Sequence, residues 1–345
     1  MSNTGMKGEG SAMEGLRPNR RAMLAAPLLL ALVPSESYAA EAPLRIGSLK
    51  FGTLNWLTET IRAEGLAARE GLSFESIDFA GGQATTVALQ AGDIDLIVSD
   101  WLWAMRRRQE GEDFRFAPFS SALGALMVAS GGPVRAVADL KGRKLGVAGG
   151  ALDKSWLLLR AYAQQTAGID LTKDAEPVYG APPLINQQLS LGRIDAALTF
   201  WPFAARLDAQ GFARLLDMKE VVAGLGIAPP PPLVGFVWRE RTAATKGAQL
   251  AAFFRAAAAA NRLLAGSDAA AASAWERLRP LMQAADAAEF GKLRDYYRVG
   301  IPGPFDAAGV AACAKLYDVL ARIGGAELVG PKPGFDPGLF ALSRG

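Results

Sequence analysis

Histidine is absent from the 345 residues, and cysteine occurs once, at Cys313. A histidine base, a Cys–His couple, a histidine-rich metal centre and a disulfide framework are thereby excluded. A strong charge of one sign is missing too. The 37 basic and 34 acidic side chains leave only +3 and are dispersed, so no nucleic-acid surface is marked. The apolar block from Ala22 to Val33 would cover only about 18 Å as a helix, against roughly 30 Å of hydrocarbon, so the chain is not expected to span a membrane. What is present is a chain with 50% hydrophobic residues, enough to bury one large core or two moderate ones and to rule out disorder. Ligand binding is therefore considered before catalysis.

The N-terminus is polar up to Asn19-Arg20-Arg21 and then apolar from Ala22 to Val33, the n-region and h-region of an export signal. Small residues at Ser37, Ala39, Ala40 and Ala42 place cleavage between 39 and 42. Arg20-Arg21 with Met23-Leu24 behind it resembles a twin-arginine signal, with an ordinary Sec signal as the alternative. Residues 1–40 are read as the leader. Removing it takes away Lys7, Arg17, Arg20 and Arg21 together with Glu9, Glu14 and Glu36, which leaves the mature chain close to neutral. A periplasmic location follows.

Laid over itself at a shift of one hundred residues, the chain repeats. Leu89-Gln90-Ala91-Gly92-Asp93-Ile94-Asp95 falls on Leu189-Ser190-Leu191-Gly192-Arg193-Ile194-Asp195, and Ser99-Asp100-Trp101 on Thr199-Phe200-Trp201. Upstream, Trp56 falls on Trp156, and Arg45-Ile46-Gly47 matches Lys144-Leu145-Gly146 one residue out of step. Each copy reads as strand, glycine loop, amphipathic helix, strand, helix and buried strand, the order of parallel βαβ construction. Gly92 and Gly192 sit where a helix stops and a left-handed residue is wanted. The apolar runs Leu123–Ser130 and Leu233–Trp238 are the expected crossings between the copies. Residues 240 to 345 read as mostly helical, over Gln249–Leu264, Ala269–Leu281 and Asp306–Ile323.

The export signal, the Leu-x-x-Gly-Asp-Ile-Asp strand and Ala138-Asp139-Leu140-Lys141-Gly142-Arg143-Lys144-Leu145-Gly146-Val147 resemble the periplasmic solute-binding proteins of nitrate-, sulfonate- and taurine-type ABC importers. The thiamine-precursor binding proteins belong to the same superfamily. The likeness covers about residues 43–265. It implies an α/β fold of the type II periplasmic binding class: two α/β lobes, a two-strand hinge and a C-terminal helical segment. Lobe one would be 43–125 plus 236–345, and lobe two 126–235. The implied partners are a small-molecule solute, a membrane permease and its ATPase, with the protein itself monomeric. A pyrimidine synthase on the same fold consumes a histidine, and this chain has none.

In open α/β sheets, ligands sit beyond the carboxyl ends of the strands. The ligand-binding candidates are therefore Asn55, Trp56, Gly82, Gln83, Ser99, Asp100 and Trp101 in one copy and Gly150, Asp153, Lys154, Ala181, Thr199, Phe200 and Trp201 in the other. Glycine turns before helices leave backbone N–H groups free for an anion or a carbonyl oxygen. Asp153 reads first as an N-cap. Asp95 and Asp195 read as turn carboxylates. Trp101 and Trp201, just past strand ends, are expected to face the cleft, where a flat ring can stack on a planar solute; Trp56 and Trp156 are expected in the core. Asp100 is the one acidic side chain placed in the cleft, where it would seek an amine or another donor. No catalytic residue, metal ligand or cofactor is assigned. The rival readings are an enzyme on the same fold, a lyase or dehydratase with Asp100 or Glu59 as base, and an accessory protein without a solute.

Overall fold

The computed structural model describes residues 42–342, so the export block lies outside the described residues. The first half runs through β1 (Leu44–Leu49), α1 (Leu54–Ala63), the short α2 (Leu66–Arg69), β2 (Phe74–Phe79), α3 (Gly82–Ala91), β3 (Leu96–Asp100), α4 (Trp101–Gln109) and β4 (Phe114–Ser120). The second half is β5 (Gly124–Val128), β6 (Lys144–Ala148), α5 (Lys154–Ala167), β7 (Glu176–Gly180), α6 (Pro182–Ser190), β8 (Ala196–Phe200), α7 (Trp201–Ala209), β9 (Ala213–Asp217) and α8 (Met218–Gly224). After these come β10 (Val234–Arg239), α9 (Glu240–Ala265), α10 (Ala269–Met282), α11 (Ala287–Gly300) and α12 (Ala307–Val329).

The strands form two five-stranded sheets, β2-β1-β3-β10-β4 and β7-β6-β8-β5-β9. Their plans coincide. Three parallel strands in each are followed by an antiparallel one, β10 beside β3 and β5 beside β8. The two apolar runs expected as crossings are thus interior strands, and β5 is buried at every position. The chain actually passes between sheets just before each, at 121–123 and 225–233. A continuous apolar run signals a strand covered on both faces, which is why it stood out in the sequence.

The repeat is physical as well as textual. A Cβ on Gly47 would lie 2.4 Å from Ile94 Cδ1, and one on Gly146 would lie 2.4 Å from Ile194 Cδ1. Both glycines are there so that the following helix–strand turn can close on the strand. Gly92 and Gly192 have φ of 83° and 65°. The Asp95 carboxylate accepts the Arg45 amide at 2.8 Å, and that of Asp195 accepts the Lys144 amide at 2.9 Å, the turn role expected of both. Asp95 also pairs with Arg45 at 2.8 Å and Lys246 at 2.7 Å. Burial alone would raise its carboxyl, but the hydrogen bonds from Arg45 and Lys246 outweigh that and hold it below the usual range.

Helix α9 packs on α1 and α2 beside the first sheet. The later helices reach farther: α11 lies against α7, and α12 against both α4 and α5. The segment read from the sequence as the C-terminal part of lobe one, 236–345, therefore touches both halves through its described helices α11 and α12. Helix α11 was not anticipated, because Ala287–Gly300 mixes charged and aromatic residues where the neighbouring segments are alanine-rich. It opens on Asp286, whose carboxylate accepts the Glu289 amide at 2.8 Å. Among the described residues no helix is long and apolar enough to cross a membrane.

Candidate functional site

The carboxyl ends of the parallel strands in both halves carry the loops that precede α1, α3 and α4 in one and α5, α6 and α7 in the other. Two contacts join these helix starts across the halves. Lys154 at the start of α5 places Nζ 3.1 Å from Asp100 Oδ2 at the start of α4. Trp56 in α1 meets Trp201 in α7 edge to face, with ring centroids 6.0 Å apart. Tyr297 of α11 touches both indoles, at 5.7 and 6.2 Å.

Asp100 has two tasks. Its Oδ1 accepts the Trp103 amide at 2.9 Å as the N-cap of α4, and its Oδ2 faces the lysine. The amine that the sequence reading sought for Asp100 is thus supplied by the opposite half. The nearby Asp100 charge raises the Lys154 ammonium against the lowering effect of its burial, so the lysine stays cationic. Asp153, next along the chain, accepts the Trp156 amide at 3.2 Å and caps α5. Burial pushes its carboxyl up to about 6, against the pull of that amide and of Lys154. The group thus carries two carboxylates and one ammonium.

The glycine turns differ in what they offer. Helix α3 starts at Gly82 after an extended Gly81, with no side chain capping it, and Gln83 is exposed beside it. Gly150 sits in the turn before α5, where its carbonyl accepts the Asp153 amide at 2.9 Å. Ala181 leads into Pro182-Pro183, so the start of α6 lacks two of the N–H groups expected of a helix N-terminus. Asn55 spends its amide on the loop carbonyls of Leu49 at 3.0 Å and Lys50 at 3.5 Å. It holds the β1–α1 turn in shape.

Trp101 corrects the sequence reading. It is wholly buried, not cleft-facing. Its Nε1 donates to the Pro232 carbonyl at 2.9 Å, and its ring packs among Tyr317, Phe335 and Phe340. The residue follows a strand end but is the first residue of α4, and that turn points it back under the helix. Trp201, its repeat partner, is 9% exposed and stays at the junction of the halves. Trp156 and Trp56 are buried as expected. Ser99 and Phe200 are half-buried near the strand ends, and Thr199 is buried with its hydroxyl unpartnered among the described residues.

Among the described residues there is no cluster of His, Cys, Asp or Glu suited to a metal ion. Of the two carboxylates gathered at these helix starts, Asp100 is held by Lys154 and Asp153 caps α5, while Glu59 lies in the body of α1 beside Arg62.

No family model matches the chain. A crystal structure of the periplasmic aliphatic sulphonate binding protein SsuA from Escherichia coli superposes with a TM-score of 0.66 over 84% of this chain and 94% of that one, at 23% identity. The chain has that protein's fold. It is the type II periplasmic binding fold that the resemblance implied. In sequence, a provisionally named aliphatic sulfonates-binding protein of Escherichia coli K12 is 30% identical over 143 residues, 41% of this chain and 44% of that protein. The chain spans about half the length of the curated relatives it matches. The desulfurization enzyme DSZB shares the fold more distantly, with a TM-score of 0.56 at 14% identity. The periplasmic binding fold thus carries chemistry in one relative and binding in others.

Proposed function

We propose that the chain is the periplasmic solute-binding component of an ABC importer, capturing a small organic solute between its two halves and delivering it to a membrane permease driven by an ATPase. The Lys154–Asp100 contact carries this reading. It bridges the two sets of strand-end loops at the place where the fold admits ligands, and it sets one cation and one anion there. A solute with an acidic group and a donor can replace each partner for the other. The names of the similar proteins favour a sulfonate as the acid. Segments 121–123 and 225–233 then serve as the hinge, and the protein leaves the cytoplasm by the signal in residues 1–40. An enzymatic role has less support, since both carboxylates of the loops are engaged, Asp100 by Lys154 and Asp153 as the cap of α5.

Titration calorimetry with the mature chain tests the reading. An alkanesulfonate, an aminoalkanesulfonate, nitrate and a heteroaromatic amine are compared. The expected result is binding of at least one organic sulfonate at about micromolar affinity, near −8 kcal/mol. Heat from none of them counts against solute capture.

The bound acid should also be sensitive to pH. Asp153 is ionised above its raised value of about 6 and neutral below it. As pH falls from 7 to 5 the carboxylate beside Lys154 loses its charge, so affinity for an anionic solute should rise about threefold, a few tenths to one kcal/mol. In Asp153→Asn, which retains the helix cap, the rise should vanish. The same carboxyl destabilises the folded chain as pH climbs from the ordinary value near 3.8 through 6, because ionising it when buried is unfavourable. Urea unfolding should therefore show Asp153→Asn holding its stability over that interval better than the native chain.

A further inference from the structure

A cavity lies beside the inter-sheet crossing, and neither Lys154 nor Asp100 lines it. It is a half-open space of about 200 Å³ between α7, β9, the start of α8 and α11, lined also by Ala122 and Leu123 of the crossing and by Gly124 at the start of β5. A single water needs about 10–15 Å³ on the same measure, so the space suits a molecule of about a dozen non-hydrogen atoms. One wall is aromatic, formed by Trp201 and Tyr296.

The polar lining is charged in both signs. Asp208 receives Lys292 at 3.1 Å and the Tyr296 hydroxyl at 3.1 Å. Arg214 pairs with Asp217 at 3.0 Å and lies over the Tyr296 ring at 4.7 Å. Lys219 differs: its Nζ donates to the Val299 carbonyl at 3.1 Å, and the ion pairs among the described residues do not include it. Asp295 has as partner Arg294, its neighbour in sequence. A cation without a carboxylate and an anion held only from its own helix thus line an aromatic-walled space. The arrangement matches a ligand bearing a carboxylate, an ammonium and an apolar body.

We propose that this cavity is a small-molecule site for an amino-acid-sized zwitterion, its acid on Lys219, its ammonium at the Asp208 and Asp295 carboxylates, and its apolar part against Trp201 and Tyr296. The site would be coupled to the junction of the halves. Its α11 wall ends on Gly300, whose carbonyl accepts the Ser121 amide at 2.8 Å, and a Cβ at Gly300 would lie 2.7 Å from that of Ala122. Trp201 is shared between the cavity and the Trp56 contact. An occupant therefore braces the crossing segment and the aromatic contact together.

The test uses the mature chain with L-phenylalanine and L-leucine as probes, against 3-phenylpropionate and phenethylamine, which each lack one charge. Thermal unfolding and calorimetry are read at probe concentrations up to about 10 mM, well above the affinity that a dozen atoms can reach. The expected result is that at least one zwitterion binds and raises the melting temperature, while both singly charged analogues bind at least about tenfold more weakly. Lys219→Met, on a half-buried surface position, should fold normally by circular dichroism and lose about tenfold in zwitterion affinity. Lys154→Met, which touches the cavity only through the coupling at the junction, should change that affinity by less than about threefold, which separates this site from the cleft. Absence of binding by both zwitterions, equal binding of the analogues, an unaltered Lys219→Met or a tenfold loss in Lys154→Met would each overturn the proposal.

Discussion

Lys154→Met is expected to weaken an anionic solute by about 30- to 100-fold, from the roughly 2–3 kcal/mol that a hydrogen bond to a charged group contributes. Methionine keeps the length and apolar stem of the side chain and removes only the ammonium. The loss has two sources. The solute's acid loses its cation, and Asp100 then stands uncompensated beside it at the start of α4, where the opposing lysine had been 3.1 Å away. Asp100→Asn is the informative opposite. Asparagine still caps α4, while Lys154 is released from its internal partner, so a solute with a lone acidic group should bind more tightly, by about threefold to tenfold. A solute that also carries an amine should lose affinity in the same variant. Calorimetry on the two variants thus reads the charge of the solute directly. If neither substitution moves the affinity of any bound sulfonate beyond twofold, the strand-end contact is structural and the solute sits elsewhere.

That contact shows where sequence reading stops. Asp100 and Lys154 were each visible as charged residues at strand-end loops, because the repeat fixed which loops face one another. Their pairing was not visible, since they occupy unlike positions in the two copies: Asp100 matches Phe200, and Lys154 matches Leu54. Repeat arithmetic lines up equivalent residues, whereas the two halves meet through non-equivalent ones, α4 against α5 and α1 against α7. The same limit explains the tryptophans. Trp101 and Trp201 are equivalent in sequence, yet one is wholly buried and the other holds the junction. The C-terminal residues Phe335 and Phe340 cover the first and α11 meets the second, and both coverings come from outside the repeat. The order of strands and helices along each copy and the glycines that end helices were legible, because each depends on local steric rules that the two copies state twice. Helix α11 carried a signal that was passed over: Phe290, Leu293 and Tyr297 recur at helical spacing behind the Asp286 cap, but charged residues stand between them.

Trp101→Ala should cost about 3–5 kcal/mol of folding stability, the range for removing a large aromatic side chain from a packed core. Three contributions point the same way. The ring is fully buried, so its loss leaves a cavity that the adjoining strands β3 and β10 are poorly placed to fill. Its Nε1 bond to the Pro232 carbonyl goes as well, and Pro232 lies in the segment that passes between the sheets. The contacts to Phe335 and Phe340 also go, and these fasten the C-terminal residues: Ala341 donates its amide to the Phe116 carbonyl at 2.8 Å on the edge strand β4. Urea unfolding followed by far-ultraviolet circular dichroism measures the loss, and hydrogen exchange locates it, with amides of residues 335–341 expected to lose protection first. Trp101→Phe should recover more than half of the stability, because it restores most of the volume without the indole N–H. Solute affinity, in contrast, should change little in the phenylalanine variant, since the ring does not face the cleft. A loss below about 1 kcal/mol in Trp101→Ala, the level of ordinary surface substitutions, would mean that the side chain is solvent-facing after all.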